Sequence, residues 1–271
     1  VERLARLDSG IDAGGGQPAF DVVDYVGMAL RGGFPDVVSS TSGRIRLAWL
    51  HSYVDQLVTR DAIEVVNRVQ SELVREYLAA LALNTAGLVS DLSLSEAVGI
   101  NARTARRYDS LMEDLGVCSR VPAWSTNRLA RLSKRGKRYL ADAGLAAAAG
   151  NFDSGTVLAD GDLLGRVIDT FVYAQLAPEA ALAVQPIRLH HLRTEHGRQE
   201  IDLIAELPGG RVVGIEVKAA AAVARSDARH LSWLRDQLGD RFLAGAVLHT
   251  GPDCFELGER IIAAPVSAIW G

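Results

Sequence analysis

Three charged residues interrupt two apolar runs in EIDLIAELPGGRVVGIEVKAA, residues 200–220. Asp202 sits in the first run, and Glu216 and Lys218 sit in the second, among the β-branched Val212, Val213, Ile215 and Val217. Strand side chains alternate between faces, so Val213, Ile215 and Val217 share one face while Glu216 and Lys218 take the other. Pairing of the two runs through the PGGR turn brings Asp202 to the Glu216/Lys218 end. Two carboxylates and an ammonium on one sheet face suit metal-assisted phosphodiester hydrolysis. Mg²⁺ prefers carboxylate oxygens and water, which makes Asp202 and Glu216 the candidate metal ligands. Lys218 would orient the attacking water and stabilise charge in the transition state. Asp169, on the helix before the strands, is the candidate fourth site residue. The competing reading is a salt bridge from Lys218 to Glu216 or Asp202, worth about 0–1 kcal/mol if exposed. Edge strands also carry charges that block aggregation. Spacing alone leaves both readings open.

The elements that would position these residues are legible around them. DLLGRVIDTFVYAQLA has helical spacing, with Leu164, Val167, Ile168, Phe171, Val172 and Leu176 on its apolar positions. PIRLHHLR, QEIDLIAEL and RVVGIEVKA read as strands, and turns at TEHGR and PGGR make them an antiparallel meander. A helix, RSDARHLSWLRDQLG, a buried strand, FLAGAVLHTG, and a short end segment closing at Trp270 follow. The predicted order is α-βββ-α-β. Length allows two modest domains, and the small-residue stretch LAAAAGNFDSGTVLADG places their boundary near Gly150.

Before that boundary, DSGIDAGGGQPAFD reads as a flexible linker, because it contains no GxxxxGK[ST] phosphate loop. LRGGFPDVV reads as a turn. From about Ile45 to Ala86, two segments show i, i+3, i+4, i+7 spacing, with Gly87 expected as the terminating C′ residue. SLSEAVGI is a short helix with a capping-box spacing from Ser93 to Glu96. Gly99 supplies a turn, Asn101 caps ARTARRYDSLMEDLG, and Gly116 ends it. A short helix, a glycine turn and an arginine-rich helix describe a helix-turn-helix. VCSRVPAW and RLSKRGKRYL read as the two strands of a wing.

Charge supports a nucleic-acid role for this region. Residues 101–140 hold ten basic residues against three acidic ones, a net of +7, in a chain whose net charge is −4. The rest of the chain therefore sums to −11. Such asymmetry is an electrostatic footprint for DNA, with Arg103, Arg106, Arg107, Lys134, Arg135, Lys137 and Arg138 as candidate contacts. A winged helix used only to dock a protein is the alternative.

The remaining features bound the protein rather than define it. Cys118 and Cys254 have no metal or redox spacing, which fits a reducing, cytoplasmic setting. No apolar run approaches the roughly 18 residues of a membrane span, and there is no signal peptide, so no membrane partner is expected. The adjacent His190 and His191 point to opposite strand faces and read, with His196, as strand and turn residues rather than metal ligands. Arg60 and Asp61 read as a local ion pair, and Trp49, Trp124, Trp233 and Trp270 as packing residues. The chain begins at Val1 without methionine, which predicts a longer parent protein.

Taken in order, the motifs resemble a known group. A helix, then Asp202, then the ExK of Glu216 and Lys218 resembles the PD-(D/E)xK nuclease fold. GGFP, YVDQLVTRD, the helix-turn-helix, KRYLADAGL, LLGRVIDTFV, EIDLI, GIEVKAA and the final PVSAIWG follow the order found in prokaryotic AAA+-type ATPases with a C-terminal domain of unknown function, number 4143. The resemblance runs from about Gly32 to Trp270. It implies an α+β or α/β protein: a linker or remnant of the ATPase lid over residues 1–44, a helical winged-helix domain over 45–150, and a nuclease-like domain over 151–271. It implies a preceding P-loop domain, through which the full-length protein would bind ATP and oligomerise. It puts Asp202, Glu216 and Lys218 at the D…ExK positions and Asp169 where the family usually has glutamate. Lys137 and Asp142 match a pK.y..D.GL pattern, with Gly136 in place of the proline, and read first as structural. The implied function is DNA binding, with Mg²⁺-dependent cleavage or a non-catalytic scaffold as alternatives.

Overall fold

Apolar spacing sets most of the helices, and short polar residues set where they begin. The computed structural model describes residues 20–61, 71–127, 131, 135–194 and 197–270. Most of the expected linker, Lys134 and His196 lie outside these residues, as do the side chains of Arg60 and Asp61. The fold is mixed α and β and forms two compact units. One comprises Val26–Arg120 and Lys137–Phe171; the other comprises the chain through Tyr25, Val121–Gly136 and the chain from Val172 onward.

The helical unit draws on α1 (Val22–Arg31), α2 (Pro35–Ser39), α3 (Gly43–Gln56), which runs on into a π-helical turn at Leu57–Asp61, and α4 (Ser71–Leu83). α5 (Asp91–Val98), α6 (Ala102–Asp114) and the two-stranded sheet of β1 (Cys118–Val121) and β2 (Lys137–Leu140) follow. Asn101 caps α6, its Oδ1 accepting from Thr104 N at 2.9 Å, and Gly99 and Gly116 adopt left-handed φ values of +70° and +68°. The first helix of this pair begins earlier than its capping-box spacing predicted. Ser90, not Ser93, is its cap, accepting from Ser93 N at 2.9 Å, so Ser93 already lies inside the first turn. Gly87 does not end α4 in a left-handed conformation; Ala86 takes the positive φ instead, at 56°. Glycine is required at 87 for space, since a Cβ there would lie 2.5 Å from Arg166 and 2.6 Å from the Asn84 carbonyl.

The small-residue stretch near Gly150, expected to hold the domain boundary, is largely helical. It forms α7 (Ala143–Gly150) and α8 (Ser154–Ala159), and α7 buries Leu145 and Ala146 against α4. Alanines and glycine permit this close approach: a Cβ on Gly144 would sit 2.9 Å from the Gly32 backbone. Asp142 locks the joint, its Oδ1 accepting from Leu145 N and its Oδ2 from Gly33 N, both at 2.7 Å. Burial raises the pKa of this carboxyl, and the two backbone N–H groups offset part of that rise. GGFP and KRYLADAGL are thus two halves of one structural contact. The unit ends within α9 (Gly161–Leu182).

The second unit is built on a six-stranded sheet in the order β3-β4-β5-β6-β8-β7. β3 (Arg188–Arg193), β4 (Glu200–Leu207) and β5 (Arg211–Lys218) form the expected antiparallel meander. α10 (Arg229–Leu238) then crosses over, so β6 (Phe242–His249) runs parallel to β5. The end segment holds two further strands, β7 (Phe255–Gly258) and β8 (Ile261–Pro265), with β8 parallel to β6. Leu231 and Leu234 of α10 pack with Ile204, Val212, Phe242, Val247 and Ile261 in the main core. Residues 122–124 lie along β3, where Trp124 N donates to His191 O at 2.6 Å and His191 N to Pro122 O at 3.0 Å. Near the chain end, Ser267 N donates to Tyr25 Oη at 3.0 Å, and Trp270 packs edge-on against Phe20.

Candidate functional site

β4 and β5 pair with Ile204 opposite Gly214 and Leu203 opposite Ile215. One step further, the regular ladder gives way to a side chain: Asp202 Oδ2 accepts from Val217 N at 3.0 Å. A β4 carboxylate therefore supplies the acceptor that a backbone carbonyl supplies elsewhere in the pair. Glu216 shares a face with Gly214, whose missing Cβ would fall 2.6 Å from Leu231 of α10. That face is the covered one, and the Glu216 side chain is only 8% exposed. Lys218 ends the strand, 35% exposed, with Nζ 2.7 Å from Glu216 Oε1. Burial opposes its charge, yet Glu216, Asp202 and Asp227 together hold its pKa above the ordinary lysine value. The three D…ExK side chains thus form one electrostatic cluster.

The cluster lies at the carboxyl ends of the parallel strands β5 and β6, where Lys218 pairs with His249. Such ends are the usual location of ligand sites in parallel sheets. Its rim is tight. Thr250 N donates to Ala220 O at 3.1 Å, and a Cβ on Gly251 would fall 1.9 Å from Ala221 O. The alanine-rich segment after Lys218 is therefore held by the loop after β6.

Two neighbours escaped the sequence reading. His230, on α10, feels the charges of both Lys218 and Asp202, and its Nδ1 hydrogen-bonds Gln199 Oε1. Arg229 Nε donates to His230 Nε2 at 3.1 Å. An acceptor at Nδ1 and a donor at Nε2 define a neutral imidazole, and burial followed by the Arg229 and Lys218 charges lowers its pKa. Neither residue lies in a motif; only their positions, just before β4 and on the face of α10 toward the sheet, bring them to the site.

Asp169 is placed with other partners. It accepts from Lys137 Nζ at 2.6 Å and from Tyr139 Oη at 3.0 Å, all inside the helical unit, where Lys137 and Asp169 are both buried. Among the described residues, no group of three or more His, Cys, Asp or Glu side chains is arranged to hold a metal ion. The donors at the candidate site are two carboxylates, Asp202 and Glu216. Mg²⁺ commonly takes one or two protein carboxylates and completes its shell with water and phosphate oxygens, so this donor set fits it.

The expected basic face is narrower than the residue count implies. Arg103, Arg106 and Arg107 are exposed on α6, and Arg135 is exposed between the strands. Lys137 and Arg138, expected as nucleic-acid contacts, turn inward instead. Lys137 pairs with Asp169, and Arg138, about 1% exposed, bonds Asp109, Asp91 and the Val89 carbonyl. Arg120 pairs with Asp109 and Glu113, and Arg131 pairs with Glu206 through two hydrogen bonds. Among the described residues, four of these charges are therefore neutralised within the fold. The histidines behave as strand residues: His191 Nε2 lies 2.9 Å from Arg135 O, and His190 faces Glu206.

Residues 164–269 match a family model described as a domain of unknown function (DUF4143). Residues 23–156 match a second, also described as a domain of unknown function (DUF8612). No curated protein matches the chain, and no solved structure does. The first interval contains Asp202, Glu216 and Lys218; the second contains α5, α6 and both strands of the small sheet.

Proposed function

We propose that the chain is the DNA-binding, restriction-endonuclease-like region of an AAA+-type ATPase. The observation that carries this reading is the convergence of Asp202, Glu216 and Lys218 at the carboxyl end of β5, with Lys218 held protonated by its neighbours. α5 and α6 act as a helix-turn-helix and β1 and β2 as a wing, gripping duplex phosphates through Arg103, Arg106 and Arg107. Asp202 and Glu216 would hold Mg²⁺, which when bound polarises a phosphate oxygen and lowers the pKa of water. Lys218 keeps its proton and donates to a phosphate oxygen or to the attacking water, countering charge as it develops. ATP would be handled by a P-loop domain elsewhere in the same polypeptide, which would also drive assembly.

One observation favours a second reading, in which the nuclease-like fold is a non-catalytic scaffold. Asp202 Oδ2 and Glu216 Oε1 already serve the fold, through Val217 N and Lys218 Nζ, and Asp169 bonds Lys137 rather than a third ligand position.

Supercoiled DNA incubated with Mg²⁺ or Mn²⁺ separates the readings. Nicking by the wild type that Lys218→Ala abolishes supports cleavage. Equal inertness of both proteins, with DNA binding retained, supports the scaffold. For the DNA interface, the triple variant R103E/R106E/R107E is expected to weaken binding and flatten its salt dependence, because fewer counterions are released. Unchanged affinity would shift the region to protein docking.

A further inference from the structure

At the opposite end of the β4–β5 hairpin from the carboxylate–lysine cluster lies an open groove of about 500 Å³. Its apolar walls are Pro122, Pro186, Leu207 and Pro208, and its polar groups are Arg131, Arg188, His190 and Glu206. β3 and β4 pair Arg188 opposite Glu206, and His190 follows Arg188 on the same face of β3. Two hydrogen bonds, at 2.6 and 2.8 Å, tie both Glu206 oxygens to Arg131. That engagement cancels one charge of each sign and leaves the exposed Arg188 as the net positive group of the groove.

His190 is the unusual member. It is 5% exposed, and neither ring nitrogen has a hydrogen-bond partner of good geometry. Nε2 does lie 3.2 Å from Glu206 Oε2. A carboxylate accepts only, so this contact favours the tautomer with the proton on Nε2, leaving Nδ1 as a buried acceptor. Burial, reinforced by the Arg131 and Arg188 charges and opposed by Glu206, keeps the imidazole neutral. A buried acceptor left unsatisfied is unfavourable, and in a pocket it marks where a ligand donor belongs. A volume in this range suits a single small molecule.

We propose that this groove binds a small anion that sets its carboxylate or phosphate against Arg188 and donates an N–H or O–H to Nδ1 of His190. The prolines present flat, rigid walls for the apolar part of such a molecule. The site is separate from the carboxylate–lysine cluster and does not depend on nuclease chemistry.

Calorimetric titration of the whole chain with adenosine 5′-monophosphate and with N-acetylphenylalanine tests both sources of anion. Saturable binding of at least one is expected, and which one binds separates phosphate from carboxylate. Arg188→Glu, a change at an exposed position, is expected to weaken it about tenfold or more, the loss of one charge-assisted hydrogen bond. His190→Phe should do the same by removing the acceptor, and His190→Gln, which retains an acceptor, should recover part of the affinity. Lys218→Ala should leave binding unchanged. The proposal is overturned if neither probe saturates in the millimolar range. It is equally overturned if His190→Phe binds as wild type, because a surface arginine alone would then account for the affinity.

Discussion

Burial decides the roles of individual charges more than residue type does. Arg138 illustrates it: its sequence context is a run of basic residues, yet its guanidinium is buried against Asp109 and Asp91. Arg138→Met would leave Asp109 buried without that partner, at a cost of about 3–5 kcal/mol in urea unfolding. Arg106→Glu, at an exposed position, should change stability by less than about 0.5 kcal/mol. Glu206 gives a prediction with a pH signature. Hydrogen bonding from Arg131 depresses its pKa, and burial opposes this without reversing it. A depressed carboxyl contributes stability that is complete above its unfolded-state pKa and is lost as pH falls through the folded one. Glu206→Gln should therefore lower stability by about 1–3 kcal/mol at neutral pH. The gap from wild type should close below pH ~4.5, the usual glutamate value, as denaturation midpoints from pH 7 to 3 would reveal. At this scale the sequence exposed the alternation that groups Glu216 with Lys218. It did not reveal which arginines face acids, because Asp109 and Glu206 are partners only through the fold.

Among the elements, the loops after β5 and β6 are coupled by a single glycine. Gly251→Ala would drive a Cβ into the Ala221 carbonyl, a backbone atom that cannot swing aside. The expected outcome is a loss of about 1–3 kcal/mol and a shift of the segment after Lys218, visible as amide chemical-shift changes at Ala219–Ala221. Lys218 itself should keep its contact with Glu216, since that contact lies within the strand. The meander, α10 and β6 were readable from β-branched runs, turn residues and helical periodicity. β7 and β8 were not, because four- and five-residue strands give little alternation to detect. α7 was missed because an alanine run flanked by glycine and asparagine carries the composition of a linker. Its helix is specified by what it packs against, namely α4, and by Asp142 bridging to Gly33.

For the whole molecule, the notable property is that neither compact unit is a continuous stretch of chain. Val121–Gly136 belongs with strands that begin at Arg188, and Lys137–Phe171 returns to helices that precede it. A boundary drawn from composition near Gly150 looks for one crossing and could not reveal this interleaving. A fragment of residues 164–271 would keep all six strands but lack Trp124 and Arg131, exposing the β3 edge and freeing Glu206. It is expected to self-associate in sedimentation, whereas the whole chain should not through this edge. The interleaving also sets a clock for synthesis. Arg131 precedes its partner Glu206 by 75 residues. At ribosomal speeds this separation is a wait of roughly 4–15 s. The helical unit can close during that interval, because its last segment emerges first. Force-sensitive translational arrest should accordingly register two folding events, the helical unit before β4 and the sheet unit only after β8 has left the exit tunnel.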